Sequence, residues 1–342
     1  MNKKKGKPTI YDIARLAGVS TSTVSRALRD DGYPVSLDTK EKVLAAVEEL
    51  NYNMRLYNSD KDSEVRIAVI LPNIINPYYS SLVTGVEYMI QNYGMEMTLF
   101  NTGGDTSKEV KIVENLINSR FIGVIIVSIC DNHDHIKKLI NSNIKVVACE
   151  QSVNLDCNSV TFNYFEGGLL ATEYLISRGK KNIAFISSPL NRTSRIGLFQ
   201  GYKKALKRNS LSLDKKYIRV ATSEKSQGNE IYEFRNGKEQ VDGLLKDDII
   251  PDAIFCINDI TAIGAIHQLQ HHGFNIPNDI GVIGFDNIYF SSMIYPPLTT
   301  IDQCTYELGT MAAEILVGSI NDPNRGNIST VLEPKLIIRE SV

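Results

Sequence analysis

The sequence predicts an α/β protein in two unequal parts, a small all-α helix-turn-helix module followed by a larger body of Rossmann-like parallel sheets. Three observations carry that expectation. Up to about Tyr52 the apolar residues recur at helical spacing in three short stretches. From Arg66 onward, short continuous apolar runs alternate with amphipathic stretches. At 342 residues the chain exceeds what one core organises comfortably, so one small and one large or bilobed domain is expected.

Composition narrows the class. With 43% hydrophobic and 22% charged residues, and no apolar run near the roughly 18 residues that span a bilayer, a membrane-embedded or disordered chain is excluded. The start, MNKKKGKPTIYDIARLAG, is basic but has no apolar segment or small-residue cleavage site, which points to a cytoplasmic protein with no membrane partner. The five cysteines (Cys130, Cys149, Cys157, Cys256, Cys304) form no CxxC pair and read as buried thiols. The net charge of −2 conceals an asymmetry: Met1 to Arg29 holds seven Lys/Arg against one acid, Asp12, a net of +6. A positive end on a mildly acidic body suits a protein of which only that end meets phosphate.

The elements of the basic end follow in order. Ile10, Ile13, Ala14 and Ala17 form one stripe of a short helix, with Asp12 and Arg15 facing away. Gly18 ends it and Ser20 caps a second helix from Thr21 to about Leu28. On that helix Val24 and Leu28 share a face, while Thr21, Ser22, Ser25, Arg26 and Arg29 populate the rest. Two helices about a tight glycine turn, the second presenting hydroxyls and arginines, suit the major groove, where Arg bonds guanine bidentately and Ser or Thr serves several base edges. Ser36 and Asp38 open a third helix with Val43, Val47 and Leu50 along one side.

The run PTIYDIARLAGVSTSTVSRALRDDGYPVSLDTKEKVLAAVEELNY closely resembles the headpiece of the LacI/GalR family of bacterial repressors. The resemblance implies base reading by Thr21, Ser22 and Arg26 and phosphate contacts by Thr9, Ser25 and Thr39. It also implies a homodimer on a palindromic double-stranded DNA operator. In that family a Pro-Asn and a helix with a minor-groove Leu follow the Tyr matching Tyr52. Here the connector reads NYNMRLYNSDKDSEVRIAVI, lacking the Pro-Asn, about two residues short, and with Lys61 or a neighbour in the place of the Leu. Leu56 or Met54 could substitute from a shifted register; the charged run from Asn58 to Glu64 reads more readily as a linker.

In the body, strands are expected at Ile67 to Leu71, Met95 to Phe100, FIGVIIVS, Val146 to Ala148, Ile183 to Ile186, Ala253 to Ile257 and Ile280 to Phe285. Helices are expected at Ser80 to Tyr93, Ser107 to Ser119, Phe165 to Arg178 and Ile260 to His272. Continuous apolar strands between helices imply parallel sheets covered on both faces. Ligands of such sheets sit outside the carboxyl ends of the strands, so the polar residues there are the candidates. They are Asn73 and NPYY with Tyr78 and Tyr79, Asn101, Ser128, Glu150 with Gln151, Asn163, Asn258 with Asp259, and Asp286 with Asn287. Carboxylates and amides bond sugar hydroxyls, and a tyrosine can stack on a ring's apolar face.

NPYY, FEGGLLATEYLISRGKKNIAFIS, FCINDITAIGAI, IPNDIGVIGFDN and PPLTTIDQ resemble the effector domain of the same family, two lobes like those of periplasmic sugar-binding proteins. The resemblance implies a regulator, most simply a repressor, controlled by a small-molecule effector, a sugar or sugar derivative. It assigns residues 1–53 to the headpiece, 54–64 to the connector and 65–342 to the effector domain. The N-lobe is then 65–161 with 301–328, the C-lobe 162–300 with 329–342, and the chain crosses between them near Val160 to Asn163, Asp286 to Thr300 and before Val331. Many members place an Arg where this chain has Leu198, three residues before Gly201, which leaves Arg195 or Arg192 to reach the cleft and opens the alternative of a sugar phosphate, nucleoside or protein co-regulator.

Enzyme readings find no support: GxGxxG, Walker and GxSxG motifs are absent, and no cofactor is implied. His133 and His135 in DNHDH and His271-His272 are read as surface residues without metal-ligand spacing, so no metal is expected.

Overall fold

The computed structural model describes residues 10–28, 35–50, 66–150, 155–224 and 231–342. The chain divides into two compact units, one ending at Arg66 and the other Ile67–Val342.

The first unit is three helices, α1 (Ile10–Ala17), α2 (Thr21–Leu28) and α3 (Leu37–Glu49). Gly18 takes φ +68°, the left-handed conformation that ends α1 at no side-chain cost. Ser20 Oγ accepts the Thr23 N–H at 3.0 Å, and Ser36 Oγ accepts that of Thr39 at 3.3 Å, so α2 and α3 each begin on a capped donor. Ile13, Ala14, Val24, Ala27, Leu28, Val43, Ala46 and Val47 close the core between the three. The connector, 54–64, lies within residues 51–65, which are outside the described residues.

In the second unit a first run of elements comprises β1 (Arg66–Leu71), α4 (Pro77–Asn92), β2 (Glu96–Asn101), α5 (Thr106–Ile117), β3 (Phe121–Ile126), α6 (Asp134–Asn141), β4 (Lys145–Glu150) and β5 (Asn158–Phe162). A second run comprises α7 (Tyr164–Ser177), β6 (Ile183–Ser187), α8 (Thr193–Arg208), β7 (Ile218–Val220), α9 (Tyr232–Lys246), β8 (Ala253–Cys256), α10 (Asp259–His271) and β9 (Gly281–Ile283). Then come β10 (Thr300–Asp302), α11 (Thr305–Asn321), β11 (Ser329–Leu332) and β12 (Lys335–Ile337). One sheet runs β11-β5-β4-β3-β1-β2, the other β7-β6-β8-β9, and β10 pairs antiparallel with β12 as a small third sheet. In the central strands burial is nearly continuous, as in β1, β6 and β8, because helices cover both faces.

Two of the boundaries that differ from the sequence expectation have a plain structural reason. The first helix of the body starts at Pro77 rather than Ser80, because Asn76 accepts the Tyr78 N–H at 3.0 Å and Pro77 fills the first helical position, where no N–H is needed. The last return between lobes falls after Leu332 rather than before Val331: β11 pairs in parallel with β5, Ser329 opposite Ser159 and Leu332 opposite Phe162, and so belongs to the first lobe's sheet.

Helix packing in each layer rests on reciprocal glycines. A Cβ on Gly201 of α8 would overlap the Phe165 carbonyl of α7, and one on Gly168 would overlap the Leu198 carbonyl of α8, so the two backbones meet directly. We predict that Gly201→Ala forces α7 and α8 apart and costs about 1–3 kcal/mol, read as a lower urea midpoint at unchanged slope. An unaltered midpoint would contradict the close approach.

Candidate functional site

In the headpiece, α2 carries the residues assigned to base reading. Thr21 is half-buried at its start; Ser22, Ser25 and Arg26 lie within it, and their side chains are outside the described set. Thr39 sits in the first turn of α3 with its hydroxyl 2.7 Å from Ser36 Oγ. Thr9 lies outside the described residues.

In the body, the carboxyl ends of strands from both sheets meet around a cleft of about 500 Å³, part of it open to solvent. From the first lobe come Asn76, Tyr78 and Tyr79 at the start of α4, and Glu150 at the end of β4. From the second come Arg192, Ser194, Arg195 and Leu198 at the start of α8, and Glu233 at the start of α9. Tyr164 opens α7, while Ile257, Asn258, Phe285 and Asp286 follow β8 and β9, and Gln303 follows β10. Helix N-termini thus converge on the space, with aromatic rings as walls; Tyr164 stacks on Phe285 at 6.2 Å between centroids.

Many of the polar groups around the cleft are paired with one another, while the Tyr78 and Tyr164 hydroxyls have no hydrogen-bond partner. Arg192 Nη2 donates to Glu224 Oε2 at 2.6 Å, and Arg195 pairs with the other oxygen of the same carboxylate. Tyr79 donates to Glu150 at 3.4 Å, and the Asn76 amide to Glu233 at 3.5 Å. Gln303 donates to Asp286 Oδ1, while its own amide oxygen has no partner. Burial pushes the Asp286 carboxyl well above the usual carboxylate range, and the Asp259 charge adds to it. Burial likewise raises Glu233 and Glu150, the latter against the pull of Arg192 and Arg195. Burial would lower Arg192, but Glu224 together with Tyr79, Glu150 and Glu233 outweighs it, and the guanidinium is held above its ordinary value.

Of the residues expected in the site, Tyr78, Tyr79, Arg195, Asn258 and Asp286 come together here. Three do not. Ser128 is buried with its hydroxyl on Glu109 at 2.5 Å and faces a separate cavity. Asn163 caps α7, accepting the Glu166 N–H at 3.1 Å, and spends its amide on Glu333 at 3.1 Å. Asp259 lies behind the wall, accepting from the Ile288 N–H at 3.0 Å and from the hydroxyls of Ser291 at 2.6 Å and Thr300 at 2.5 Å. Gln151 is outside the described residues. Tyr164, Ser194, Glu233, Phe285 and Gln303 were not singled out from sequence. Tyr164, Ser194 and Glu233 sit in the first turns of helices, so extending the search one turn past each strand-end loop would have found them.

The sequence signature of bacterial regulatory proteins of the lacI family matches residues 9–54, and that of a periplasmic binding protein-like domain matches residues 172–342. The chain is 32% identical over 338 residues to the HTH-type transcriptional repressor PurR of Pasteurella multocida (strain Pm70), covering 98% of each. It is 34% identical over 342 residues to catabolite control protein A of Priestia megaterium, covering 97% of this chain and 98% of that one. Among solved structures, the lac repressor dimer bound to operator and the anti-inducer ONPF superposes with a TM-score of 0.73 at 27% identity, over 98% of this chain and 99% of the other. A LacI family regulator from Enterococcus faecium with bound ribose gives 0.72 at 26%, over 81% and 98%.

Asp259 and Asp286 are predicted to behave oppositely. Asp286→Asn keeps the hydrogen bond from Gln303 and removes a carboxylate that burial disfavours, so it raises stability at pH 7 by on the order of 1 kcal/mol. Because the folded-state pKa lies above the unfolded value of about 3.9, the wild type loses stability as pH rises through that window. The gain should therefore vanish below about pH 4, where both states carry the proton. Asp259→Ala strands three buried donors and should cost several kcal/mol, about 1–3 for each. Urea melts of the variants at pH 7 and in acid check both; equal losses at pH 7 would refute the contrast.

Proposed function

Because this chain belongs to the lacI family of bacterial regulatory proteins and is a DNA-binding transcriptional repressor of that kind, we propose that its cleft binds a small polar effector, a sugar or sugar derivative, whose occupancy changes operator affinity. The observation that carries the effector reading is the lining itself. Glu150, Glu233 and Asp286 offer acceptors to ligand hydroxyls, Asn258 and Gln303 offer amides, and Tyr78, Tyr79, Tyr164 and Phe285 offer apolar faces to a ring. The unpartnered Gln303 oxygen is an acceptor awaiting a donor. Ribose bound to the Enterococcus faecium regulator supports a sugar-sized ligand.

Leu198 contributes an apolar patch where the family resemblance implies an Arg, and Arg192 with Arg195 supplies the cations from the start of α8. A flat nitrogenous ligand is the second reading, favoured by the aromatic walls and by the relatives that carry the name PurR. A thermal-shift series of sugars, sugar derivatives, purines and nucleosides separates the two, since a ligand held only by the folded state raises the transition by mass action. A rise with sugars supports the first reading, a rise with purines alone replaces it by the second, and a rise with neither removes the effector reading.

On DNA, the reading is an isologous homodimer on a palindromic operator, within the cytoplasm where the chromosome lies. Thr21, Ser22 and Arg26 read bases, and Thr9, Ser25 and Thr39 hold phosphates. Arg26→Ala should lose about 1–3 kcal/mol on the operator and little on random DNA, whereas Thr39→Ala should weaken both alike. Gel shifts on both DNAs decide it; equal losses on both for Arg26→Ala would remove Arg26 from base reading.

A further inference from the structure

The loop after β3 gathers side chains that regulation through the cleft does not use. Glu109, in the first turn of α5, is wholly buried. Its Oε1 receives the Ser128 hydroxyl at 2.5 Å and lies 2.8 Å from His135 Nε2, and its Oε2 faces the Ile129 N–H at 3.5 Å. His135, expected on the surface, is 4% exposed at the start of α6, because the turn of α6 that buries Ile136 and Leu139 carries it inward as well. Cys130 Sγ completes the group: one donor atom each from Glu109, Cys130 and His135 lies within 4.8 Å of both others. Among the described residues no other three His, Cys, Asp or Glu side chains come so close.

We propose that Glu109, Cys130 and His135 form a binding site for one thiophilic divalent cation, zinc in the first instance, with the fourth coordination position open to the adjoining cavity. A thiolate, an imidazole and a carboxylate are the donors zinc takes, and a zinc site with three protein ligands keeps an exchangeable fourth. Donors around a tetrahedral zinc stand roughly 3.3–3.8 Å apart, so the cluster closes on the ion with movements of about an ångström. The thiolate and carboxylate together neutralise the cation. Binding replaces the Glu109–His135 hydrogen bond with two metal bonds; the Nε2 proton moves to Nδ1 of the neutral ring, or leaves to water from a charged one, and the Cys130 thiol proton is released to water. The Ser128 hydroxyl and Ile129 N–H then orient the Glu109 carboxylate from behind. The thiol argues against magnesium or calcium, which take oxygen donors.

Access is open. Cys130 is half-buried at the wall of a cavity of about 430 Å³, lined also by Asp131 and His133 of the first lobe and by Asn191, Arg192 and Thr193 of the second. Arg192 lines the effector cleft too. An ion here would sit beside the second lobe, at a wall that shares a residue with the effector cleft.

The test uses the untagged full chain, stripped with a chelator and titrated with Co²⁺. One equivalent should bind with a thiolate-to-cobalt charge-transfer band and tetrahedral d–d bands, and Zn²⁺ should displace it. Cys130→Ser should abolish the charge-transfer band, and His135→Gln should weaken binding at least about tenfold. Absence of the band, its persistence in Cys130→Ser, or equal competition by Mg²⁺ would overturn the site. Should His135→Gln fail to fold, the half-buried Cys130→Ser decides alone.

Discussion

The second half of the effector cleft hangs on one buried carboxylate. Asp259 has no exposed surface, and it binds the 288–291 turn and β10 through the Ile288 N–H and the Ser291 and Thr300 hydroxyls. Its own N–H donates to the Phe285 carbonyl at 2.8 Å. Burying a carboxylate is costly unless donors replace the lost water, and here three side-chain and backbone donors do so. The same bonds therefore fix the last turn of the cleft wall. Phe285 and Asp286 are held against α10, and Asp286 N–H reaches the Ile301 carbonyl at 2.8 Å, which brings Gln303 opposite its carboxylate. The wall and the crossing between lobes are thus one construction.

Local signals carried most of the architecture. Gly18, Ser20 and Ser36 mark the headpiece helices in the sequence because each does its work with neighbours three to five residues away, and a chain reader sees those neighbours. The strand cores of β1, β6 and β8 were equally plain as uninterrupted apolar runs. The site was legible only in part. Ser128, Asn163 and Asp259 all follow strands, as Asn258 and Asp286 do, and nothing local separates the two groups. Their partners do: Glu109 is 19 residues from Ser128, Glu333 is 170 from Asn163, and Thr300 is 41 from Asp259. A polar residue already spent on a distant partner cannot face a ligand, and that partner is set by the crossing of the chain rather than by the run in which the residue sits. His135 was misjudged for the same reason, its partner Glu109 lying 26 residues away.

The electrostatics of the cleft suit a switch. Glu150, Glu233 and Asp286 are buried acids whose ionisation burial opposes, and the two arginines that could compensate them share Glu224. A ligand with several hydroxyls, as proposed above, would meet polar groups on both lobes at once, Tyr79 and Glu150 on one side, Arg195 and Asp286 on the other. Differential affinity for two lobe arrangements is all that a ligand needs to bias the population that binds DNA.

That linkage is reciprocal, which makes it measurable from either end. The affinity of the chain for its effector should be determined by calorimetry with the protein free and again saturated with operator DNA. The account requires the two effector affinities to differ, and by the same factor by which saturating effector changes operator affinity. Identical effector affinities for free and operator-bound protein would contradict it, leaving a cleft that binds a ligand without regulating the repressor.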